Sequence, residues 1–567
     1  MKEVVARILK KVLNEKKVDL SEEEIEKLIE IPPSPEMGDY AFPCFFLAEK
    51  LKDNPKEIAI ELREKIRNPG IEFEDIQTKG PYINFFINRK SFARQTVLEA
   101  ITKKNNFGKI EIGKGEKTMV EFPSPNTNKP LHLGHLRNMA IGESISRILE
   151  FDGEKVIRAN LNNDRGIHIC KSMLAYQKWG KNKTPKDKKL KSDHFVGDFY
   201  VMFEKKKTKK LENEAQKLLQ KWEAGDQDTF LLWKLMNNWA LEGFEQTYQK
   251  FGINHDVNFF ESEIYEDGKK IILDGVQKGL FEKTKTGEVK INLDKEGLGE
   301  KILLRQDGTS LYVIQDLALA KLKFNDYKLD KSFYVVGNEQ EYHFKVLFSI
   351  LEKLGFKDKE MKHISYGMVN LPSGKMKSRE GTVVDADDLI EEVRLLAEKE
   401  LLKREKLQKG ELQKRSNIIS LAAIKYLLLK IDIKKSMLFN PKESISFDGD
   451  TGPYILYSYA RASSILKKLK TDIKKFEVYD LEEKEVELVK KISQFPEIVL
   501  SSYKNLNPSV IANYSYQLAQ VFNEFYHACK VIGSEEQEPF RVSLVQAFRQ
   551  TLKNSLSLLG IDTVEEM

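Results

Sequence analysis

Met119-Val-Glu-Phe-Pro-Ser-Pro-Asn-Thr-Asn-Lys-Pro-Leu-His-Leu-Gly-His135 decides how this chain is read. Its first four residues are β-branched, aromatic and short in span, the pattern of a buried strand. Pro123, Pro125 and Pro130 end that strand. From Leu133 to Glu150 the apolar Leu136, Ala140, Ile141, Ile145, Ile148 and Leu149 recur at three- and four-residue spacing, which predicts an amphipathic helix. The stretch is therefore a strand-loop-helix corner. Such a corner offers unpaired backbone N–H groups and the positive end of a helix dipole, and Gly134 lacks the Cβ that would hold a phosphate away. His132 and His135, three apart, share a face and can donate to phosphate oxygens, with Lys129 supplying a mobile cation. The chemistry suits a triphosphate. Two histidines at a helix start are, by themselves, more often ordinary surface residues, so the surroundings must specify the site.

Those surroundings are large. A chain of 567 residues exceeds one core, and a prior of roughly 150 residues per domain suggests about four units. Hydrophobic residues at 41% and charged residues at 32% describe a globular protein, and no apolar run approaches the ~18–20 residues that span a bilayer. Cys44, Cys170 and Cys529 form no CxxC pair, so neither a zinc knuckle nor a disulfide framework is indicated. A net charge of +6 is too small to announce a nucleic-acid partner. The lysine runs Lys178 to Lys191 and Lys205 to Lys210 are the local exceptions; most such runs are solvated faces, and any RNA contact there would be to phosphate.

The order of elements gives an expected fold. Val156 to Asn160 and Ser332 to Val336 read as core strands on either side of a lysine-rich and helical insertion, and strands alternating with helices predict a parallel, doubly wound sheet with the nucleotide across its carboxyl ends. Residues 1 to about 112 read as a small α+β module, with a helix near Pro55 to Ile66 and a strand at Tyr82 to Ile87. After Thr382 the pattern is almost wholly helical: 418–431, 454–469, 481–493, 512–531 and 542–559, broken at Gly449, Pro453, Pro496 and Pro508.

A second signature lies about 240 residues downstream, in Gly374-Lys-Met-Lys-Ser-Arg-Glu-Gly-Thr382. Together the two segments resemble the HIGH and KMSKS motifs of class I aminoacyl-tRNA synthetases. Glu121-Phe-Pro-Ser-Pro-Asn126, His135-Leu-Arg-Asn138, Asp307-Gly-Thr-Ser-Leu-Tyr312 with Asp316, Val336-Gly337 with Gln340 and His343, and Thr451-Gly-Pro-Tyr-Ile-Leu-Tyr457 narrow the resemblance to the arginyl-tRNA synthetase family, nearly end to end. Each piece is weak alone; their occurrence in order is specific.

The resemblance implies three domains: an α+β N-terminal tRNA-contacting domain over 1–112, a Rossmann-type catalytic domain over 113–395 with a connective insertion at about 181–255, and an all-α anticodon-binding bundle over 396–567. It implies ATP-dependent activation of L-arginine and transfer to the 2′-hydroxyl of the terminal adenosine of tRNA(Arg), with Mg²⁺ on the nucleotide, no protein metal site, no membrane, a cytoplasmic location and a monomer. Catalysis falls to Lys129, His132, His135 and Lys375. ATP contacts fall to Pro125, Asn128, Leu133, Gly134, Gly337, His343, Met368, Met376 and Ser378. Arginine falls to Glu121, Asn126, Glu261, Tyr312, Asp316 and Gln340, and tRNA to Tyr454, Tyr457 and Arg461. The usual catalytic lysine of the second motif is here Ser378, and Lys129, just upstream of the first histidine, is the expected compensating cation. A guanidinium calls for carboxylates that take two parallel N–H bonds, which makes Asp316 the leading candidate and Glu261 a second acidic wall. Asp164 and Gly166 are expected on the active-site rim, and His168 stands where the family often has glutamine. The alternatives are another class I synthetase, a related nucleotidyltransferase, and a catalytically silent synthetase-like RNA-binding protein.

Overall fold

The structure, a computed structural model, describes residues 1–567 except 68–69, 265–266, 307–311, 371–383, 405–406 and 470–474. The chain divides into two compact units that do not follow chain order: Met1–Phe107 with Ile465–Ser493 and Val521–Gln550, and Gly108–Ser464 with Gln494–Gln520 and Thr551–Met567.

The second unit carries the signature. Its sheet is built from β1 (Lys117–Glu121), β2 (Lys155–Asn162), β3 (Val257–Phe260), β4 (Lys331–Gly337) and β5 (Glu360–Tyr366), in the order β5-β4-β1-β2-β3 and parallel throughout. Helices cross between the strands: α1 (Leu133–Phe151), α2 (Ile167–Trp179), α3 (Ser192–Lys205), α4 (Lys209–Glu223), α5 (Gln227–Phe251), α6 (Tyr312–Tyr327) and α7 (Glu341–Leu351). Parallel strands covered on both faces must be apolar nearly throughout, and Met119, Val120, Ala159, Phe333 and Val335 are all buried. The strand and helix expected around the first signature form within one or two residues of their predicted limits. Helix α1 is buried on nearly every side, with the polar Arg137, Asn138, Glu143 and Ser144 buried beside Leu136, Met139, Ile141, Ile145 and Leu149, which are at most 1% exposed. Each such side chain contributes about 1.5–3 kcal/mol of burial.

The insertion between β2 and β3 is helical and has its own core, in which Ile169, Met173, Phe195, Phe203 and Met236 are buried and the Tyr176 ring meets Phe199 edge-on at 5.2 Å. Beyond the sheet follow α8 (Ala386–Arg404), α9 (Lys409–Lys430) and α10 (Gly452–Lys467). An additional helix at Phe495–Asn505, unpredicted because Pro496 reads as a break, forms because proline is tolerated in a first helical turn.

The first unit holds a three-stranded antiparallel sheet with Tyr82–Ile87 between Tyr40–Pro43 and Phe73–Lys79. Helices Lys2–Glu15 and Pro55–Lys65 pack on it through Val5, Leu9, Leu13, Ile58 and Leu62. The reciprocal cap of Ser21 and Glu24 starts the helix Glu22–Leu28. Among the described residues no helix is long and apolar enough to cross a membrane. All three cysteines are free and buried.

Candidate active site

Every candidate pocket residue that the structure describes around the sheet lies at or just past the carboxyl end of a strand. Glu121 ends β1, Asp164 follows β2, Glu261 follows β3, and Gly337 ends β4. Backbone pairing sets the loops: Asn163 N–H donates to Pro125 O (2.9 Å) and Thr127 N–H to Asn163 O (3.1 Å), which joins the loop carrying Asn126 to the loop carrying Asp164.

The histidine turn caps its own helix. Gly134 N–H donates to His132 Nδ1 (3.1 Å), and His132 N–H donates to His135 Nδ1 (3.1 Å). The two rings lie 3.9 Å apart between centroids. A Cβ on Gly134 would stand 2.9 Å from His132 Cε1, so glycine is what lets the ring fold back. Burial, then the Lys129 ammonium, depress the His132 pKa to about 4; Asp385 opposes them. His135 is held well below its ordinary value by burial, His132 and Lys129. Both imidazoles are therefore neutral near pH 7. Because each Nδ1 accepts a backbone N–H, each Nε2 must carry the ring proton. The corner presents two fixed N–H donors rather than two cations.

A short strap fastens this turn from across the chain. Leu133 N–H donates to Val384 O (3.1 Å) and Ala386 N–H to Leu131 O (3.0 Å). The carboxylate of Asp385 lies 3.1 Å from His194 Nε2, and Asp387 receives Lys191 (2.7 Å) and Thr247 (2.8 Å). The cluster Asp193, His194 and Asp387 has metal-ligand spacing, but Lys191 Nζ already lies 3.1 and 2.7 Å from its two carboxylates. The cation there is a lysine. Lys129 and His132 line an open cleft with His194, Asp198, Tyr200 and Asp385. Gly197 approaches so closely that a Cβ would stand 2.5 Å from Pro130 Cδ.

Two residues of the His135-Leu-Arg-Asn138 segment brace the sheet ends. Buried Arg137 donates to Gly367 O (2.7 Å) and Lys435 O (2.8 Å), among other carbonyls, and Asn138 Nδ2 donates to Val335 O (2.7 Å). A guanidinium held by carbonyls alone is costly, and burial lowers its pKa to about 10.

The acidic wall is assembled from two strand ends and helix α6. Asp164 is buried and its carboxylate accepts from Ser262 N (2.9 Å) and Oγ (2.7 Å), which fixes the residue after Glu261. Burial lifts the Glu261 carboxyl to about 7, reinforced by Asp164 and Asp316 and opposed by Arg165. The Gln315 amide, oriented to satisfy both neighbours, donates to Glu261 (2.9 Å) and accepts from Arg165 (3.2 Å). Asp316 Oδ2 is 2.6 Å from His343 Nε2. Asp164, Glu261 and Asp316 thus lie close enough to act on one another, an arrangement suited to a planar cation.

Residues 96–440 match the family described as tRNA synthetases class I (R), catalytic domain; residues 455–567 match the DALR anticodon binding domain and residues 1–87 the arginyl tRNA synthetase N terminal domain. The chain belongs to the arginyl-tRNA synthetase family. It is 46% identical to the arginine–tRNA ligase of Treponema denticola over 95% of this chain and 94% of that one. Against the ligase of Borrelia hermsii it is 43% identical over 100% and 99% of the two chains. The solved arginyl-tRNA synthetase of Thermus thermophilus superposes with a TM-score of 0.84 at 25% identity, over 100% of both chains.

In this family member the remaining expected residues fall as follows. Glu121 is buried and ion-paired with Lys323, which is itself fully buried and 4.4 Å from the centre of the Tyr334 ring. Asn126 is exposed, Pro125 and Leu133 are buried, and Asn128 is buried with its Oδ1 unpartnered among the described residues. Gln340 and Met368 are exposed, and Gly337 opens the turn that leads to Gln340 and His343. His168 lies 3.3 Å from the Tyr200 hydroxyl. Lys375, Met376, Ser378 and the side chain of Tyr312 lie outside the described residues, as does 307–311. Tyr454, Tyr457 and Arg461 share one half-buried face of α10; the Arg461 guanidinium is 4.9 Å from the Tyr457 ring centre, and Tyr454 meets Tyr516 at 5.5 Å. Tyr459 is buried instead, its hydroxyl donating to Glu565.

Sequence reasoning missed Lys323, Arg165, Gln315, Asp385 and His194. Lys323 had a signal, since it lies seven residues after Asp316 and so on the same helix face. The strap had none, because Asp385 and His194 are separated by nearly two hundred residues.

Proposed function

We propose that this chain is an arginine–tRNA ligase, which joins L-arginine to ATP as arginyl-adenylate and then transfers the arginyl group to the 2′-hydroxyl of the terminal adenosine of tRNA(Arg). The observation that carries this reading is the convergence of Glu261 and Asp316, with Asp164 bracing the wall, beside a turn of two neutral histidines. A guanidinium would lie against the acids, with Glu121, Asn126 and Gln340 at the α-amino and carboxylate end and Tyr312 on its plane.

Activation needs the carboxylate oxygen and the α-phosphorus in line while charge gathers on the phosphate oxygens. The Nε2–H groups of His132 and His135 point donors at that charge, and Lys129 supplies the cation. Asn128, with a buried oxygen left unpartnered by the described protein, fits a nucleotide partner. Pro125, Gly134, Gly337 and Met368 shape the same face, and Lys375, Met376 and Ser378 are proposed to serve the departing pyrophosphate. Mg²⁺ enters on the nucleotide, since the only described side-chain cluster of metal spacing already holds Lys191. Residues 1–112 and 396–567 are proposed to contact tRNA, the face of Tyr454, Tyr457 and Arg461 offering rings and a guanidinium on which bases stack. Three buried thiols and a tRNA substrate suit the cytoplasm.

Aminoacylation of tRNA(Arg) transcript with each of the twenty amino acids tests the reading. Charging of arginine alone is expected; charging of another amino acid, or none, would refute it.

A further inference from the structure

The resemblance assigns His343 to ATP, yet its ring meets the arginine wall. Nε2 stands 2.6 Å from Asp316 Oδ2, and the two side chains are 27% and 34% exposed, open enough to be reached from the pocket. His343 lies in the first turn of α7 just past the carboxyl end of β4, and Asp316 lies on the first turns of α6, so two separate helices aim these groups at each other. We infer that His343 is a residue of the arginine pocket, which holds the Asp316 carboxylate in place and gives up its proton when a guanidinium docks there. The inference rests on the arginine reading proposed above.

The chemistry follows from counting charges. A planar guanidinium takes both oxygens of a carboxylate through parallel N–H bonds. In the empty pocket one of those oxygens already accepts from His343. A protonated imidazole and a guanidinium on one carboxylate are like charges at contact distance, and the weaker acid is the guanidinium, so the imidazole yields: His343 loses its Nδ1 proton to solvent and stays as a neutral partner whose Nε2–H still donates to Asp316. The groups that face this exchange are Asp316 on α6, Glu261 after β3 with Arg165 beside it, buried Lys323, His363 on β5 and Glu341 on α7. The hydrogen bond to Asp316 is the main reason His343 keeps its proton above the ordinary histidine range, against burial. Glu261 also must ionise to receive arginine, so it adds a second, separate proton to the count.

Titration calorimetry of the full chain with L-arginine at pH 7, in phosphate and in Tris, measures the protons released. Wild type is expected to release protons and His343→Gln measurably fewer, the remainder belonging to Glu261. Between pH 8 and 6 the wild-type dissociation constant should rise by up to about tenfold per pH unit for each proton released, and less steeply in the variant. The ATP KM of His343→Gln is expected within twofold of wild type. Equal proton release in the two proteins, no release by wild type, or a raised ATP KM with arginine binding intact would overturn the inference. Absence of any arginine binding by wild type would instead overturn the arginine reading itself, and this inference with it.

Discussion

Replacing Lys323 by methionine tests how the buried carboxylate at the end of β1 is held. The Lys323 side chain is 0% exposed and that of Glu121 7% exposed, and burial alone would strip the ammonium of its proton; Glu121 keeps it charged. Lys323→Met leaves the carboxylate buried without its cation, an error that costs about 3–5 kcal/mol in such pairs. The unit concerned has about 400 residues, for which 1 kcal/mol moves the midpoint by about 1.2 °C, so a fall of about 4–6 °C is expected. The double variant Glu121→Gln, Lys323→Met removes both charges and should recover most of that loss, since a buried pair is worth little against a well-packed neutral replacement. Thermal melts of the four proteins in the cycle, with amide exchange followed in β1 and α6, give the coupling. If the single variant melts within about 1 °C of wild type, or the double variant no higher than the single, the pair is not the buried counterion couple described here. The arginine KM separates packing from recognition: it should rise in all three variants, each of which alters Glu121 or its field, even where the melting point has recovered.

Lys129→Ala should slow arginine-dependent ATP–pyrophosphate exchange, measured with tRNA(Arg) present, by about 10²–10³-fold, the usual result of losing one group aimed at transition-state charge; a rate within threefold of wild type would remove Lys129 from the machinery. Glu261→Gln should weaken arginine binding by about 30-fold or more, as loss of one partner of a desolvated charge pair does. Its effect on stability has the opposite sign. A carboxyl raised from 4.5 to about 7 binds more protons folded than unfolded, so the wild type loses stability as pH rises from about 4.5 to 7 and the loss persists above it. Glu261→Gln should therefore melt higher than wild type at pH 8 and show no such gain at pH 5; an equal shift at both pH values would deny the perturbed carboxyl.

The sheet was legible because its strands are short apolar runs and its first helix repeats apolar residues at three- and four-residue spacing. Each of those signals is local. Val156 to Asn160 and Ser332 to Val336 needed only their own residues to be read, and they are the centres of β2 and β4. The acids of the pocket were legible only through the resemblance, since nothing in Phe260-Glu-Ser262 distinguishes Glu261 from a surface residue. What escaped were the partners. The cation beside Glu121 is Lys323, two hundred residues on, because a carboxylate at the end of a buried strand must be neutralised by whatever helix covers it. Lys191 read as one more member of a solvated run, and its burial between Asp193 and Asp387 depends on α5 and α8 arriving from elsewhere. Tyr454, Tyr457 and Arg461 do share an accessible face, while Tyr459, two residues from Tyr457, turns into the core as helical spacing requires.

Under the proposed function, the electrostatics of the histidine turn explain why a lysine upstream of the first histidine is worth more here than its charge alone. With both histidines neutral, neither can offset the negative charge that builds on the phosphate; they offer direction, through Nε2–H groups whose tautomer is fixed by the backbone bonds to Nδ1. Lys129 is one of the groups that hold them neutral, after burial. Under the proposed function it does two things at once, adding a positive charge and helping burial to keep the neighbouring histidines neutral. Were the second signature to carry its usual lysine at position 378, the first of these duties would have a second source. Ser378 leaves no such source at that position, and the strap from Val384 to Asp387 pins the turn that follows Lys129 to the insertion through Lys191 and His194, so that the lysine's root is as fixed as the histidines it serves.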